Sequence, residues 1–197
     1  MNTDNLFKNG YVSLDVSDPL IEKINTETLD INSIDQLQIS FDSVANFHNS
    51  QYFDYEKNQK YKNEIINNPN LKQLWFWKRY ETEELNQLLY QIFLKYYDYS
   101  FDDLVFMTQY THYDEGCFIV PHKDGVSLSR LCGILIYLNK DYNAENGGLL
   151  VLETGESITP EFGKVVIFDY TKNSIEHSVT KVVKGNRRAI CAFIHKK

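Results

Sequence analysis

Cysteine is scarce in this chain. Its 197 residues hold three, Cys117, Cys132 and Cys191, an odd number at wide spacing. A disulfide framework and a zinc ribbon are thereby excluded as the basis of the fold. Cys132 and Cys191 lie in apolar runs and read as reduced, buried fillers. Basic charge is also in short supply, with 20 Lys and Arg against 27 Asp and Glu and a formal charge of −7. Nucleic acid is therefore not the expected partner, because duplex binding needs a basic surface; a nucleotide substrate stays open. No apolar run approaches membrane-spanning length, so no membrane association is expected. The first residues, MNTDNLFKNG, lack the basic-then-apolar order of a secretory signal. Repeats, low-complexity segments and linkers are missing too. These absences point to a cytoplasmic, reducing setting and to a single domain over 1–197, long enough for a substantial core. Oligomeric state is not legible.

What is present divides the chain in two. Residues 1–100 are polar and read as mainly helical support. Helices are expected at about 18–25, at about 55–67 ahead of Pro69, and from Thr82 onward. The last carries Leu85, Leu88, Leu89, Ile92, Phe93 and Tyr96 at three-and-four spacing, the mark of one buried helix face. The aromatic segment Leu74-Trp75-Phe76-Trp77 reads first as core packing and second as a wall of a substrate pocket. Residues 101–197 are a series of short β-like runs at 104–110, 117–122, 130–139, 148–153, 164–170, 177–183 and 187–195. Turn-like breaks such as Asp114-Glu115-Gly116, Asn146-Gly147-Gly148 and Lys184-Gly185-Asn186 separate them. Many short strands at this spacing predict a sandwich or jelly roll. The fold class is therefore α+β, with helices buttressing a β core.

The chemistry concentrates at His122 and Asp124, with His177 far downstream and Arg187 ten residues beyond it. In an extended segment residues i and i+2 face the same way, so His122 and Asp124 project together, with Phe118 and Val120 as a dry wall beside them. Two imidazoles and a carboxylate can hold Fe(II) on one face and leave the other open. Alone, the pair is weak: with acids this frequent, about one histidine in seven has one two residues on by chance. Among the other histidines, His48 reads as a surface residue and His112 as a backup ligand. Strand parity groups Arg187 with Ala189, Cys191, Phe193 and His195, whose small members leave room for a ligand, and Arg188 with Ile190, Ala192 and Ile194. An arginine fork suits a carboxylate through two charge-assisted hydrogen bonds. Arg188 is expected at a solvated strand end.

Tyr113-Asp-Glu-Gly116 followed by Pro121-His122-Lys-Asp124 resembles the Tyr-x-x-Gly and His-x-Asp block of the Fe(II)/2-oxoglutarate-dependent dioxygenases, prolyl-hydroxylase branch. Leu135-Ile-Tyr137-Leu-Asn-Lys-Asp-Tyr142 with Gly147-Gly148-Leu149 is similar to a strand and hairpin of that branch. Gly163-Lys-Val-Val-Ile-Phe168, and His177-Ser-Val with Gly185-Asn-Arg187-Arg188-Ala-Ile, resemble its closing motifs. The ordered set covers about the C-terminal half. The resemblance implies a double-stranded β-helix core, with His122, Asp124 and His177 as iron ligands. It implies Arg187 and Tyr137 on the distal carboxylate of 2-oxoglutarate and Tyr113 facing the co-substrate or substrate. Arg188 is the alternative carboxylate partner, since the family's spacing varies by one.

The same resemblance implies Fe(II), 2-oxoglutarate and O2 as cofactor and co-substrates, with ascorbate as a stimulant. It implies hydroxylation of an unactivated C–H bond, with release of succinate and CO2. The substrate class is an amino acid, in a protein or peptide or free. Family members that halogenate replace the carboxylate ligand, and this chain keeps Asp124. Two other readings stay open: a jelly-roll isomerase using zinc or manganese, and a non-catalytic binding module on the same fold.

Overall fold

The computed structural model describes residues 4–29, 38–41, 74–124, 127–172 and 174–197. The chain starts with helix α1 (Asp4–Asn9), strand β1 (Tyr11–Asp15) and helix α2 (Pro19–Thr28). Strands β2 (Gln38–Phe41) and β3 (Leu74–Arg79) and helix α3 (Glu83–Phe93) follow. Eight further strands complete it: β4 (Leu104–Tyr113), β5 (Ile119–His122), β6 (Arg130–Tyr137), β7 (Leu150–Leu152), β8 (Ser157–Ile158), β9 (Lys164–Asp169), β10 (His177–Val179) and β11 (Arg187–Lys196).

The strands form two sheets. The larger has the order β1-β9-β6-β11-β4-β3-β2 and the smaller β5-β10-β7-β8. From β4 onward the chain passes back and forth between them, which is the winding of a jelly roll, or double-stranded β-helix. Every strand pair in both sheets is antiparallel.

Helix α2 starts where Asp18 caps it, its carboxylate accepting from the Leu20 amide at 2.8 Å, with Pro19 in the first turn. Thr82 caps α3 in the same way, accepting from Leu85 N at 3.1 Å. The expected stripe is buried at Leu85, Leu89, Ile92 and Phe93, while Leu88 is half-buried and Tyr96 lies past the helix end. These side chains join Ile21 and Ile24 of α2 and the Ile134, Ile136, Ile190, Ala192 and Ile194 face of the larger sheet in one core. A second core lies between the sheets and contains Tyr137, Val166, Phe168, Ala189, Leu150 and Leu152. Strands β6 and β11 thus have one face against helices and one face against the smaller sheet.

The first hundred residues differ from the helical reading: besides their helices they supply three strands to the larger sheet. Tyr11–Asp15 pairs with β9, some 150 residues away, a partnership with no local signal. The aromatic segment is itself a strand, β3, with Phe76 buried in the helix-side core and Trp75 and Trp77 half-buried. The helix expected at 55–67, and His48, lie outside the described residues. Cys132 is fully buried as expected. Cys191 is half-buried, because its side of β11 faces the space between the sheets. No helix among the described residues is long and apolar enough to cross a membrane.

Candidate metal centre and carboxylate pocket

Antiparallel pairing of β5 and β10 sets His122 directly opposite His177. Their rings are 4.5 Å apart between centroids. Asp124 lies two residues past the end of β5 and reaches both, with Oδ1 3.8 Å from His122 Nε2 and Oδ2 3.8 Å from His177 Nε2. The donor atoms of these three residues all lie within 4.8 Å of one another. Phe118 and Val120, expected as a dry wall, are half-buried.

The ring orientations are fixed from behind. His122 Nδ1 lies 3.0 Å from the Val120 carbonyl and His177 Nδ1 3.1 Å from the Ile175 carbonyl. A carbonyl only accepts, so each Nδ1 carries the proton and donates it, which leaves a lone pair on each Nε2 aimed at Asp124. Burial holds the His177 imidazole below its ordinary pKa, against the pull of Asp124, so it stays neutral. Two imidazoles and a carboxylate sharing one small space suit a divalent transition metal. The trio, as a donor set, fits Fe(II).

A second cluster lies on the larger sheet. Arg187 opens β11, opposite Tyr113 of β4, and Ala189 two residues on is opposite Tyr137 of β6. Arg187 is 2% exposed, and its Nη2 donates to the Tyr137 hydroxyl at 3.1 Å. Its guanidinium carbon sits 4.8 Å from the Tyr113 ring centre and 5.0 Å from that of Tyr137. Burial raises the pKa of both tyrosines, so their hydroxyls remain protonated donors. Among the described residues, the buried Arg187 Nε has no hydrogen-bond partner. A buried guanidinium with an unused N–H and phenol rings on either side fits an anion, and a carboxylate most directly. Gly148, at φ 63°, keeps the neighbouring space open: a β-carbon there would stand 2.9 Å from Tyr142 Oη and 3.2 Å from Arg187 Cδ.

Other expectations change. Arg188 is not at a solvated strand end. It is 6% exposed, because α2 covers that face of β11, and its Nη2 donates to Asn25 Oδ1 at 2.8 Å and the Leu138 carbonyl at 3.3 Å. His112, the backup ligand, is opposite Arg188 on β4 and so away from the trio. Its Nδ1 contacts the Tyr110 hydroxyl at 3.0 Å and its Nε2 the Asp114 carboxylate at 2.8 Å. Two residues escaped the sequence reading. Tyr170, just past β9, donates a hydrogen bond to Asp124 Oδ2, and Tyr142 places a buried, unpartnered hydroxyl beside Arg187. No spacing rule ties position 170 to 124; only the folded sheet does. Tyr142 stands inside a motif already singled out, which was the available signal. A cleft of about 640 Å³ opens on Asp124, with Lys8, Lys123, Lys172, Glu153 and Ser174 along its walls.

Comparison with known proteins follows the same lines. Residues 108–195 match the family model of the 2OG-Fe(II) oxygenase superfamily. No curated protein sequence matches the chain. Among solved structures, a prolyl-4-hydroxylase from Pseudomonas putida is similar with a TM-score of 0.69 at 15% identity, over 98% of this chain and 97% of that one. An oxidoreductase of the 2OG-Fe(II) oxygenase family from Burkholderia pseudomallei gives 0.65 at 13% identity, over 99% and 89%. A prolyl hydroxylase from Trichoplax adhaerens, in complex with a peptide fragment of the oxygen degradation domain of hypoxia inducible factor, gives 0.58 at 16% identity, over 100% and 88%. At these identities the likeness is one of fold. Together with the match over residues 108–195, that fold supports a 2OG-Fe(II) oxygenase domain of prolyl-hydroxylase-like architecture.

Proposed function

We propose that this protein hydroxylates an unactivated C–H bond of an amino-acid-type substrate, in a protein or peptide or free, in a cytoplasmic setting. His122, Asp124 and His177 are the Fe(II) ligands in this reading. Arg187, Tyr137 and Tyr113 form the site for 2-oxoglutarate. The observation that carries it is the pairing of a donor set of two histidines and an aspartate with a buried arginine whose Nε has no partner. An isomerase-type metal site needs no such arginine, and an idle binding module needs neither half.

Fe(II) held by these residues, with 2-oxoglutarate and O2, would supply the oxidising power to put one oxygen atom into the C–H bond as hydroxyl and the other into succinate, with loss of CO2. Ascorbate would act as a stimulant by keeping iron reduced. The chain's own residues bind and orient. His122 and His177 offer Nε2 lone pairs because their Nδ1 protons are committed to backbone carbonyls. Asp124 offers an anionic oxygen between them. Arg187, with its Nε unpartnered among the described residues, would hold the distal carboxylate of the co-substrate. Tyr137, whose oxygen accepts from Arg187, keeps its own proton to donate to that carboxylate. The Tyr113 ring lies against the guanidinium and keeps water from it. The 640 Å³ cleft is of ordinary ligand-site size and opens on Asp124, so a residue of a peptide or a free amino acid can bring its C–H bond to the metal side. The neighbours named for prolyl hydroxylation, one with a peptide bound, support a peptide-type substrate.

Supplying Fe(II) and 2-oxoglutarate and measuring succinate tests the reaction. Mass spectrometry of lysate proteins and of an amino-acid panel, searching for a gain of one oxygen, tests the substrate class. Succinate production that depends on both additions is expected. Its complete absence with properly folded, iron-loaded protein, across the whole panel, would contradict the reading.

A further inference from the structure

Asp124 has two oxygens, and they are not in equivalent surroundings. Oδ2 accepts a hydrogen bond from the Tyr170 hydroxyl. Oδ1 faces His122 Nε2 at 3.8 Å and Oδ2 faces His177 Nε2 at the same distance, so the Tyr170 hydrogen bond is what distinguishes them. Tyr170 is 2% exposed and arrives from the larger sheet, across the space between the sheets from the histidines. Its ring is fixed on several sides. It stacks near Phe168 with centroids 6.4 Å apart, meets Phe193 at 6.4 Å, and lies 5.6 Å from the Arg130 guanidinium carbon. Room for it is made by Gly133 of β6, where a β-carbon would stand 2.9 Å from Tyr170 Cε2 and 3.0 Å from its hydroxyl oxygen. Contacts that close are essentially absent from real side chains, so any other residue at 133 would press on the hydroxyl end of the ring.

A carboxylate at a metal can bind through one oxygen or through two. On an octahedral ion, two imidazoles and one carboxylate oxygen leave half the positions open; a second oxygen closes one of them. A co-substrate that chelates through two atoms, together with O2, needs all the open positions. The bland alternative is that Tyr170 merely satisfies a buried hydroxyl. It does not account for the Gly133 vacancy at the hydroxyl end of the ring.

We propose that Tyr170 is a positioning residue that occupies Asp124 Oδ2 and so fixes Asp124 as a one-oxygen ligand, with Gly133 providing its place. This rests on the reading of Asp124 as a metal ligand. Removing an outer partner of a metal ligand typically weakens metal binding about 10- to 100-fold. Titrating the metal-free full-length protein with Mn(II) by calorimetry is the test, run on wild type, Asp124→Ala and Tyr170→Phe, with the metal-free melting temperature measured in parallel. Tyr170→Phe retains the ring and its packing. Its Mn(II) affinity is expected to fall about 10- to 100-fold, with the metal-free melting temperature held close to wild type. Wild-type affinity in folded Tyr170→Phe, alongside loss in Asp124→Ala, would overturn the positioning role and leave the ligand reading intact. Equal affinity in wild type and Asp124→Ala would overturn the ligand reading and this inference with it. If Tyr170→Phe does not fold, Gly133→Ala replaces it, since it keeps the hydroxyl but displaces the ring; unchanged Mn(II) affinity in that variant overturns the proposal.

Discussion

The two faces of β11 give the most instructive contrast in the molecule. Arg187 and Arg188 are adjacent, both are buried, and each retains one buried nitrogen without a hydrogen-bond partner among the described residues. They nevertheless stand in different chemistry. Arg188 shares its face with Ile190, Ala192 and Ile194, which pack against the helices, and its guanidinium is tied to Asn25 and the Leu138 carbonyl. Arg187 shares its face with Ala189, Cys191 and Phe193. Ala189 is buried in the core between the sheets, and Cys191 and Phe193 are only partly buried. Burial pushes the Cys191 thiol on that side up to about 12, with Asp124 adding to the rise and Arg187 opposing it. Burial alone therefore does not distinguish the two arginines; what is left unfilled around each face does.

The contrast can be broken or sharpened in steps. The largest effect belongs to the trio on the facing sheet. His122→Ala, Asp124→Ala and His177→Ala should each reduce iron-dependent succinate formation to background while the fold, followed by circular dichroism, persists. Wild-type rates in any one would remove that residue from the ligand set. Next is the packed face of β11. Ile190→Ala should cost about 2–5 kcal/mol of stability by leaving a cavity in the helix-side core. Urea denaturation reads this, and a cost similar to that of Cys191→Ala would mean that the two faces are packed alike. Arg188→Ala comes third. It strands Asn25 Oδ1 and the Leu138 carbonyl, so a loss of about 1–3 kcal/mol in the same assay is expected. The smallest is Tyr142→Phe, which removes a buried hydroxyl without a partner. Its melting temperature should hold or rise. Its affinity for 2-oxoglutarate should fall about 2- to 10-fold if that hydroxyl donates to the co-substrate, as a hydrogen bond of about 0.5–1.5 kcal/mol predicts. Unchanged affinity would take Tyr142 out of the pocket.

Much of this was legible beforehand, for reasons that differ by region. The strands after residue 104 announce themselves because each is a β-like run ended by glycine-containing turns such as Asn146-Gly147-Gly148. Strand alternation on β11 puts Arg187 and Arg188 on opposite faces, a local property that the sequence carries. It did not reveal what lies on each side. Arg188 was expected in solvent because α2, which covers it, is 160 residues away in sequence by way of Asn25. β1 and β3 were hidden for the same reason, as their pairing partners are distant. His122 and Asp124 could be grouped by spacing and His177 by the motif around it, but Tyr170 had no local mark. Its hydrogen bond to Asp124 exists only because β9 and β6 bring residues 170 and 133 together beneath the trio.

The central claim is a two-part site, with a metal on the smaller sheet and a co-substrate carboxylate on the Arg187 face of the larger one. Calorimetric titration of 2-oxoglutarate into Mn(II)-loaded, oxygen-free protein tests it most directly, comparing wild type, Arg187→Ala and Arg188→Ala. Truncating one partner of a buried charge pair costs about 2–5 kcal/mol, so Arg187→Ala should bind at least about 30-fold more weakly. Arg188→Ala should bind as wild type does, provided it is kept below its lowered melting temperature. Weakened binding in Arg188→Ala with wild-type affinity in Arg187→Ala would contradict the account.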